Sequence, residues 1–263
     1  MTPSPIEVRT YGDVGPLVAV LHGGPGASGS VAGLARDLSE FATILEPLQR
    51  RSGQIPLTVA QHVADLAEVL PEPVIIVGWS WGAMLGLSFA ATHPDLVRSL
   101  ALVGCGTYDR PSRDAYHATM RDRLGPVGVD RKAQLKQQLE EVENPDTVLA
   151  QIGALDEHAQ AFDLIGESEY TAIDAVGHTE TWADVLRLQD EGVEPSAFST
   201  ITCPALMLHG DTDPHPGRST YETLREHVPQ IEYLEIPRCG HTPWLERWGR
   251  EPFLSGLSEW LRS

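Results

Sequence analysis

Val74-Ile75-Ile76-Val77-Gly78-Trp79-Ser80-Trp81-Gly82 decides the fold. Four branched apolar residues predict a strand. The segment after Gly82, Ala83-Met84-Leu85-Gly86-Leu87-Ser88-Phe89-Ala90, predicts a helix. Between them stands Gly-x-Ser-x-Gly, in the strand–turn–helix setting that motif requires. A turn this sharp lifts the serine above the sheet edge. Glycines flank it because a Cβ at either end would collide with the neighbouring strand or helix. Ser80 at a helix start also faces backbone N–H groups and the positive end of the helix dipole, which suit a developing negative charge.

Working outward, Ile6–Tyr11 alternates apolar and polar side chains, as an edge strand does. Leu17-Val18-Ala19-Val20-Leu21 is continuously apolar, as expected of a strand covered on both faces. It runs into His22-Gly23-Gly24-Pro25-Gly26, a loop whose glycines let backbone approach a bound oxyanion. A helix over 30–40 and a strand over 42–45 follow, then a loop over 46–53. Thr58 with Gln61 makes a capping-box signature for the next helix, which Pro71 and Pro73 stop. Leu100–Val103 is another buried strand. After Gly106 the strand–helix alternation gives way to helical patterns over 112–124, 131–142, 147–162 and 179–189, with no convincing strand. It resumes at Ala205–Leu208, passes a helix over 219–227 and the strand Ile231–Ile236, and closes with a helix over 252–261. The expected architecture is α/β: a doubly wound, mostly parallel sheet with a helical cap inserted after the sixth core strand. Residues 1–106 form the first part of the core, 107–195 the cap and 196–263 the second part of the core.

The chain has 263 residues and a net charge of −18. That charge argues against nucleic acid and anionic membranes as partners. Residues 107–195 hold 19 acidic and 8 basic side chains. This is either a solvated acidic surface or a bias toward amine-bearing substrates. No apolar run reaches the length of a membrane span, and Met1–Glu7 shows neither the basic nor the apolar region of a signal peptide. Cys105, Cys203 and Cys239 are odd in number and widely spaced, giving no disulfide framework and no metal-binding pair. The expected compartment is the cytoplasm, with no metal and no cofactor. Oligomeric state is open between monomer and homodimer.

Three chemistry-bearing residues fall at the carboxyl ends of predicted strands in the order Ser80, Asp213, His241. A serine hydroxyl is a poor nucleophile at neutral pH. A histidine takes its proton and returns it to the leaving group, and a carboxylate fixes the imidazole and stabilises its charged form. Asp211 lies close to Asp213. Asp213 follows the glycine turn and precedes Pro214, where its side chain can bend back toward the histidine loop, so it is the expected acid. Trp79, Trp182 and Trp244, together with His178, are candidates for an apolar substrate wall. His22 reads as a loop organiser and Cys239 as a small packed residue, since no separate base is evident for it.

With these residues in place, the chain resembles the α/β-hydrolase superfamily over nearly its whole length. His22-Gly23-Gly24-Pro25-Gly26 and Gly78-Trp79-Ser80-Trp81-Gly82 together resemble the proline iminopeptidase branch. The resemblance implies Ser80 as nucleophile, Asp213 as acid, His241 as base, and an oxyanion hole from the backbone N–H groups of Gly24 and Trp81. Losing one such donor typically costs about 10²–10³ in rate. In that branch, cap glutamates read the substrate's free amine. Here Glu140, Glu141, Glu167, Glu169 and Glu180 are the acidic side chains available. The branch usually carries an Asp-Gln-Arg-Gly-type loop where this chain has Glu46–Gly53, and its members are usually longer. The expected activity is serine hydrolysis of a small ester, lactone or amide, as an aminopeptidase or a carboxylesterase. Alternatives are a lyase or cyclase on the same fold and a non-catalytic binding protein. Intact Ser, Asp and His argue against the last.

Overall fold

The computed structural model describes residues 6–262; Met1–Pro5, read above for a leader, lie outside the described residues. The chain begins with β1 (Glu7–Tyr11), β2 (Leu17–Leu21) and β3 (Ala27–Ser28), then α1 (Ala32–Leu38), β4 (Thr43–Leu48) and α2 (Val59–Val69). β5 (Val74–Trp79), α3 (Trp81–Thr92) and β6 (Val97–Val103) follow. Next come α4 (Arg110–Glu141), α5 (Asp146–Gln160), β7 (Ala172–Ile173) and α6 (Ala175–Asp190). The chain closes with β8 (Ala205–Gly210), α7 (Gly217–Arg225), β9 (Ile231–Ile236) and α8 (Arg250–Leu261).

Seven strands form one twisted sheet in the order β1-β4-β2-β5-β6-β8-β9. β1 is antiparallel to β4 and every other pairing is parallel. The central strands read as continuous apolar runs because both faces are covered. Their two-residue period divides each run between two cores. Ala19, Leu21, Ile76, Leu100 and Met207 pack under α2 and α3. Val18, Val20, Val77, Ala101 and Leu208 pack under α1 and α8, against Leu34, Phe253 and Leu257. Parallel pairing puts the carboxyl ends of β2, β5, β6, β8 and β9 on one edge, where the motif-bearing loops meet.

The helices α4–α6 lie between β6 and β8. β6 is the sixth strand in chain order and the fifth of the main sheet, because β3 pairs instead with β7 as a separate two-stranded ribbon. That ribbon supplies a short strand inside the segment expected to be helical throughout.

Other boundaries also differ from expectation. β4 runs on to Leu48 rather than stopping at 45, because Pro47 sits on the antiparallel β1 pairing, opposite Val8. Glu46 is buried there and accepts a hydrogen bond from Tyr11 Oη at 2.6 Å. The first two expected helices of the insert form one long span, broken only at Gly125 (φ 61°, ψ 178°). It resumes at once because Pro126 stands at the first position of the next turn, where a missing N–H costs nothing. The capping box before α2 is half formed: Thr58 Oγ1 accepts from Gln61 N at 3.1 Å, while the Gln61 side chain turns to Asp65. Among the described residues no helix is long and apolar enough to cross a membrane.

Candidate active site

The turn after β5 is tight enough to force Ser80 to φ 54°, ψ −118°. A non-glycine residue there stores roughly 1–3 kcal/mol of strain, held by its surroundings. Ser80 N donates to Val103 O at 2.8 Å, tying the turn to β6. A Cβ on Gly78 would lie 2.2 Å from Gly82 O, and one on Gly82 would lie 2.2 Å from Leu21 O. Both positions therefore exclude a side chain. Trp81 opens α3, so its N–H is one of the donors a helix leaves without an internal partner.

The loop after β2 lies against this turn. A Cβ on Gly23 would come within 3.1 Å of Ser80 Cβ. His22 is fully buried; its Nε2 accepts from Gln49 N at 3.3 Å and its Nδ1 donates to Gly23 O at 3.0 Å. Burial pushes its pKa down to about 4, so it is a neutral brace at ordinary pH. Gln49 Nε2 returns a bond to His22 O, and its Oε1 accepts from Trp81 Nε1 at 2.8 Å. The outer side of the loop is held by the insert. Asp174 N donates to Gly26 O at 2.8 Å, and His178 Nδ1 donates to Pro25 O at 2.9 Å.

Beyond β8, Asp213 reaches the His241 ring, whereas Asp211 reaches only the backbone two residues before it. Asp211 Oδ1 accepts from Cys239 N at 3.1 Å, whereas Asp213 Oδ2 accepts from His241 Nδ1 at 2.6 Å. Asp213 Oδ1 accepts two bonds from His215, from its backbone N and its Nδ1, both at 2.9 Å. His209 Nε2 stands 3.3 Å from Oδ2. Burial works to raise the Asp213 pKa, but the imidazoles of His241, His209 and His215 outweigh it and hold the carboxyl well below its usual range. His241 is fixed from three further sides. Its N donates to Gln160 O at 3.1 Å, its O accepts from Trp79 Nε1 at 2.8 Å, and a Cβ on Gly104 would lie 3.0 Å from its Nδ1.

Ser80, His241, Gly24, Trp81, Trp79, His178 and Trp182 all line one cavity of about 440 Å³. Its roof comes from α4, α5 and α6, so the insert caps the sheet edge. Trp244 does not reach the cavity. It is 1% exposed, packed edge-on behind Trp79 at 5.1 Å between ring centroids and against Phe253, and is a core residue rather than a substrate wall. Nor does the cavity wall include Glu140, Glu141, Glu167, Glu169 or Glu180. Glu180 accepts from Leu57 N, and Glu169 pairs with Arg36. The acidic groups that do reach the wall are engaged: Asp156 with Lys132, and Glu157 with Ser168. Sequence reasoning passed over Tyr116, His117, Lys132, Lys136 and His215, all on the wall. His215 carried a usable signal, standing two residues after the expected acid. The others sit on exposed-looking helices and carried none.

Asp213, His215 and His241 lie close enough together to hold a cation, but their hydrogen bonds already occupy both carboxylate oxygens and both Nδ1 atoms. Cys239 is buried, and burial raises its thiol pKa, which suits packing rather than nucleophilic chemistry.

Residues 18–251 match the alpha/beta hydrolase family. The chain belongs to that family. It is 31% identical over 262 residues to a pimeloyl-[acyl-carrier protein] methyl ester esterase of Chromobacterium violaceum, covering 97% of this chain and 98% of the relative. A probable proline iminopeptidase of Streptomyces coelicolor is 34% identical over 110 residues, covering 35% of this chain and 34% of that protein. Among solved structures, a thermophilic esterase from Thermogutta terrifontis superposes with a TM-score of 0.65 at 21% identity, over 100% of this chain and 95% of that one. This α/β hydrolase thus resembles an esterase along its whole length and an iminopeptidase over about a third of it.

Proposed function

We propose that the protein is a serine esterase acting on a small carboxylic ester. The observation that carries this reading is the shared cavity: strained Ser80 and Asp213-bonded His241 open onto it together. Ser80 Oγ attacks the ester carbonyl as its proton passes to His241 Nε2. Asp213 stabilises the resulting imidazolium, and the N–H groups of Gly24 and Trp81 receive the oxyanion. Collapse expels the alcohol, which leaves with the His241 proton. Water then repeats the sequence on the acyl-enzyme, giving the acid and restoring Ser80. Residues 107–195 act as the cap that shapes the cavity. A soluble cytoplasmic protein acting on small molecules fits the acidic surface.

Two observations favour an ester over a prolyl amide. The glutamates nominated to read a free amine stand away from the cavity, and the full-length relative is a methyl ester esterase. The test is a paired assay of wild type and Ser80→Ala on methyl and nitrophenyl esters of graded acyl length, beside prolyl naphthylamide. Ser80-dependent ester cleavage with little amide cleavage is expected. Preferred cleavage of the prolyl amide would overturn the reading. Covalent labelling of Ser80 without turnover of any substrate would move it to a lyase or cyclase.

A further inference from the structure

Two imidazoles donate hydrogen bonds to the Asp213 carboxylate, His241 Nδ1 to Oδ2 and His215 Nδ1 to Oδ1, while His209 Nε2, 3.3 Å from Oδ2, donates to the His215 carbonyl. The two rings are stacked, with centroids 4.6 Å apart and planes 28° apart. Tyr116 of α4 stacks on the far face of His215 at 4.2 Å. Since both rings meet the carboxylate through Nδ1, both turn their Nε2 edges away from it, and both line the Ser80 cavity. Nothing in the proposed reaction requires this second imidazole.

We propose that His215 is a positioning residue that shares the Asp213 carboxylate with His241, so that the hold of Asp213 on the catalytic imidazole depends on it. The inference rests on the esterase reading for its kinetic arm alone. A carboxylate spends its charge among its donors, and each added N–H on Oδ1 leaves less to stabilise a proton on the ring at Oδ2. His215 can do this only while uncharged. Burial, its largest influence, pushes it down to about 4 against the pull of Asp213. The groups facing it are Asp213 and His209 from the end of β8, His241 from the last loop, and Tyr116 from α4, whose hydroxyl burial keeps protonated. Arg123 of α4 reaches the Thr212 carbonyl in the same turn.

The test compares His215→Leu, which removes the side-chain donor, with His215→Asn, whose amide nitrogen can occupy the Nδ1 position. The acid limb of kcat/KM on a nitrophenyl ester should move up by about one pH unit in His215→Leu, a tenfold loss on the acid side, since one unit matches the usual worth of one hydrogen bond. His215→Asn should restore the limb. A purely structural role would lower kcat at every pH and leave the limb in place. Independently of turnover, proton NMR should show downfield imidazole N–H resonances of which His215→Asn loses one and His241→Asn another. An unmoved limb in His215→Leu, a His215→Asn variant that behaves like His215→Leu, or a downfield spectrum left unchanged by His215→Asn would each overturn the proposal. Absence of ester turnover would count against the esterase reading and leave the NMR result to decide on His215.

Discussion

Glu246 Oε1 accepts the backbone N–H of Gly240 at 3.0 Å, one residue before His241. The same fully buried carboxylate accepts Phe162 N at 2.9 Å and Asp163 N at 2.7 Å, just past the end of α5. One side chain therefore ties the histidine loop to the cap. Glu246→Gln replaces an oxygen facing donors with an amide that is itself a donor. It should lower stability by about 1–3 kcal/mol, or roughly 2–10 °C in Tm for a chain of this size, and reduce kcat more than it changes KM. Thermal unfolding and ester kinetics on one preparation check both.

Ser80 pays for its position with backbone strain, so removing the side chain should separate stability from activity. Ser80→Gly and Ser80→Ala should both abolish turnover. Ser80→Gly, which accepts φ 54° freely, should be the more stable of the two by about 1 kcal/mol. Urea unfolding of the pair measures the difference. Equal stability would mean the turn is not strained.

Asp213→Asn should cost about 10⁴ in kcat, because an amide can hold the wrong imidazole tautomer in place. Asp211→Asn keeps an amide oxygen that can accept from Cys239 N and loses only the charge, so it should cost no more than about tenfold. The reverse order would exchange the roles assigned to the two acids.

Trp79→Phe keeps a ring against Trp244 but removes the 2.8 Å bond to His241 O. A loss of about fivefold in kcat is expected, the worth of one hydrogen bond, with KM little changed. A change confined to KM would assign Trp79 to substrate binding alone.

His22, His62 and His215 are each pushed down to about 4, in every case chiefly by burial. Between that value and about 6.5 the unfolded chain binds protons that the folded chain refuses, so stability falls as pH is lowered through this window. Each should cost about 1–2 kcal/mol at pH 5 relative to pH 7. Asp213, held low instead, keeps its contribution above the ordinary carboxylate range and loses it only in stronger acid. Urea midpoints at pH 7 and 5, with His62→Asn as a comparison, test the slope.

The architecture could be read because buried parallel strands announce themselves as branched apolar runs, and β2, β5, β6 and β8 do so. The elbow and its glycines were legible for the same local reason. What escaped depends on packing between distant segments. β4 continues through Pro47 because β1 pairs there. Trp244 follows the histidine loop in sequence, yet packs toward Phe253 and away from the cavity. Glu169 and Glu180 of the insert face Arg36 and Leu57 N rather than a substrate amine, which spacing alone does not reveal. His215 stands two residues after Asp213, but its place on the carboxylate and in the ring stack comes from the fold.

The insert holds backbone on both sides of the proposed reaction centre: Asp174 and His178 on the Gly24–Gly26 loop, Gln160 on His241. A designer who grafts a foreign cap to change substrate range would therefore also be retuning the catalyst. On the proposed esterase reading, turnover and selectivity would be mechanically linked, and libraries aimed at new substrates should keep those three anchors in place.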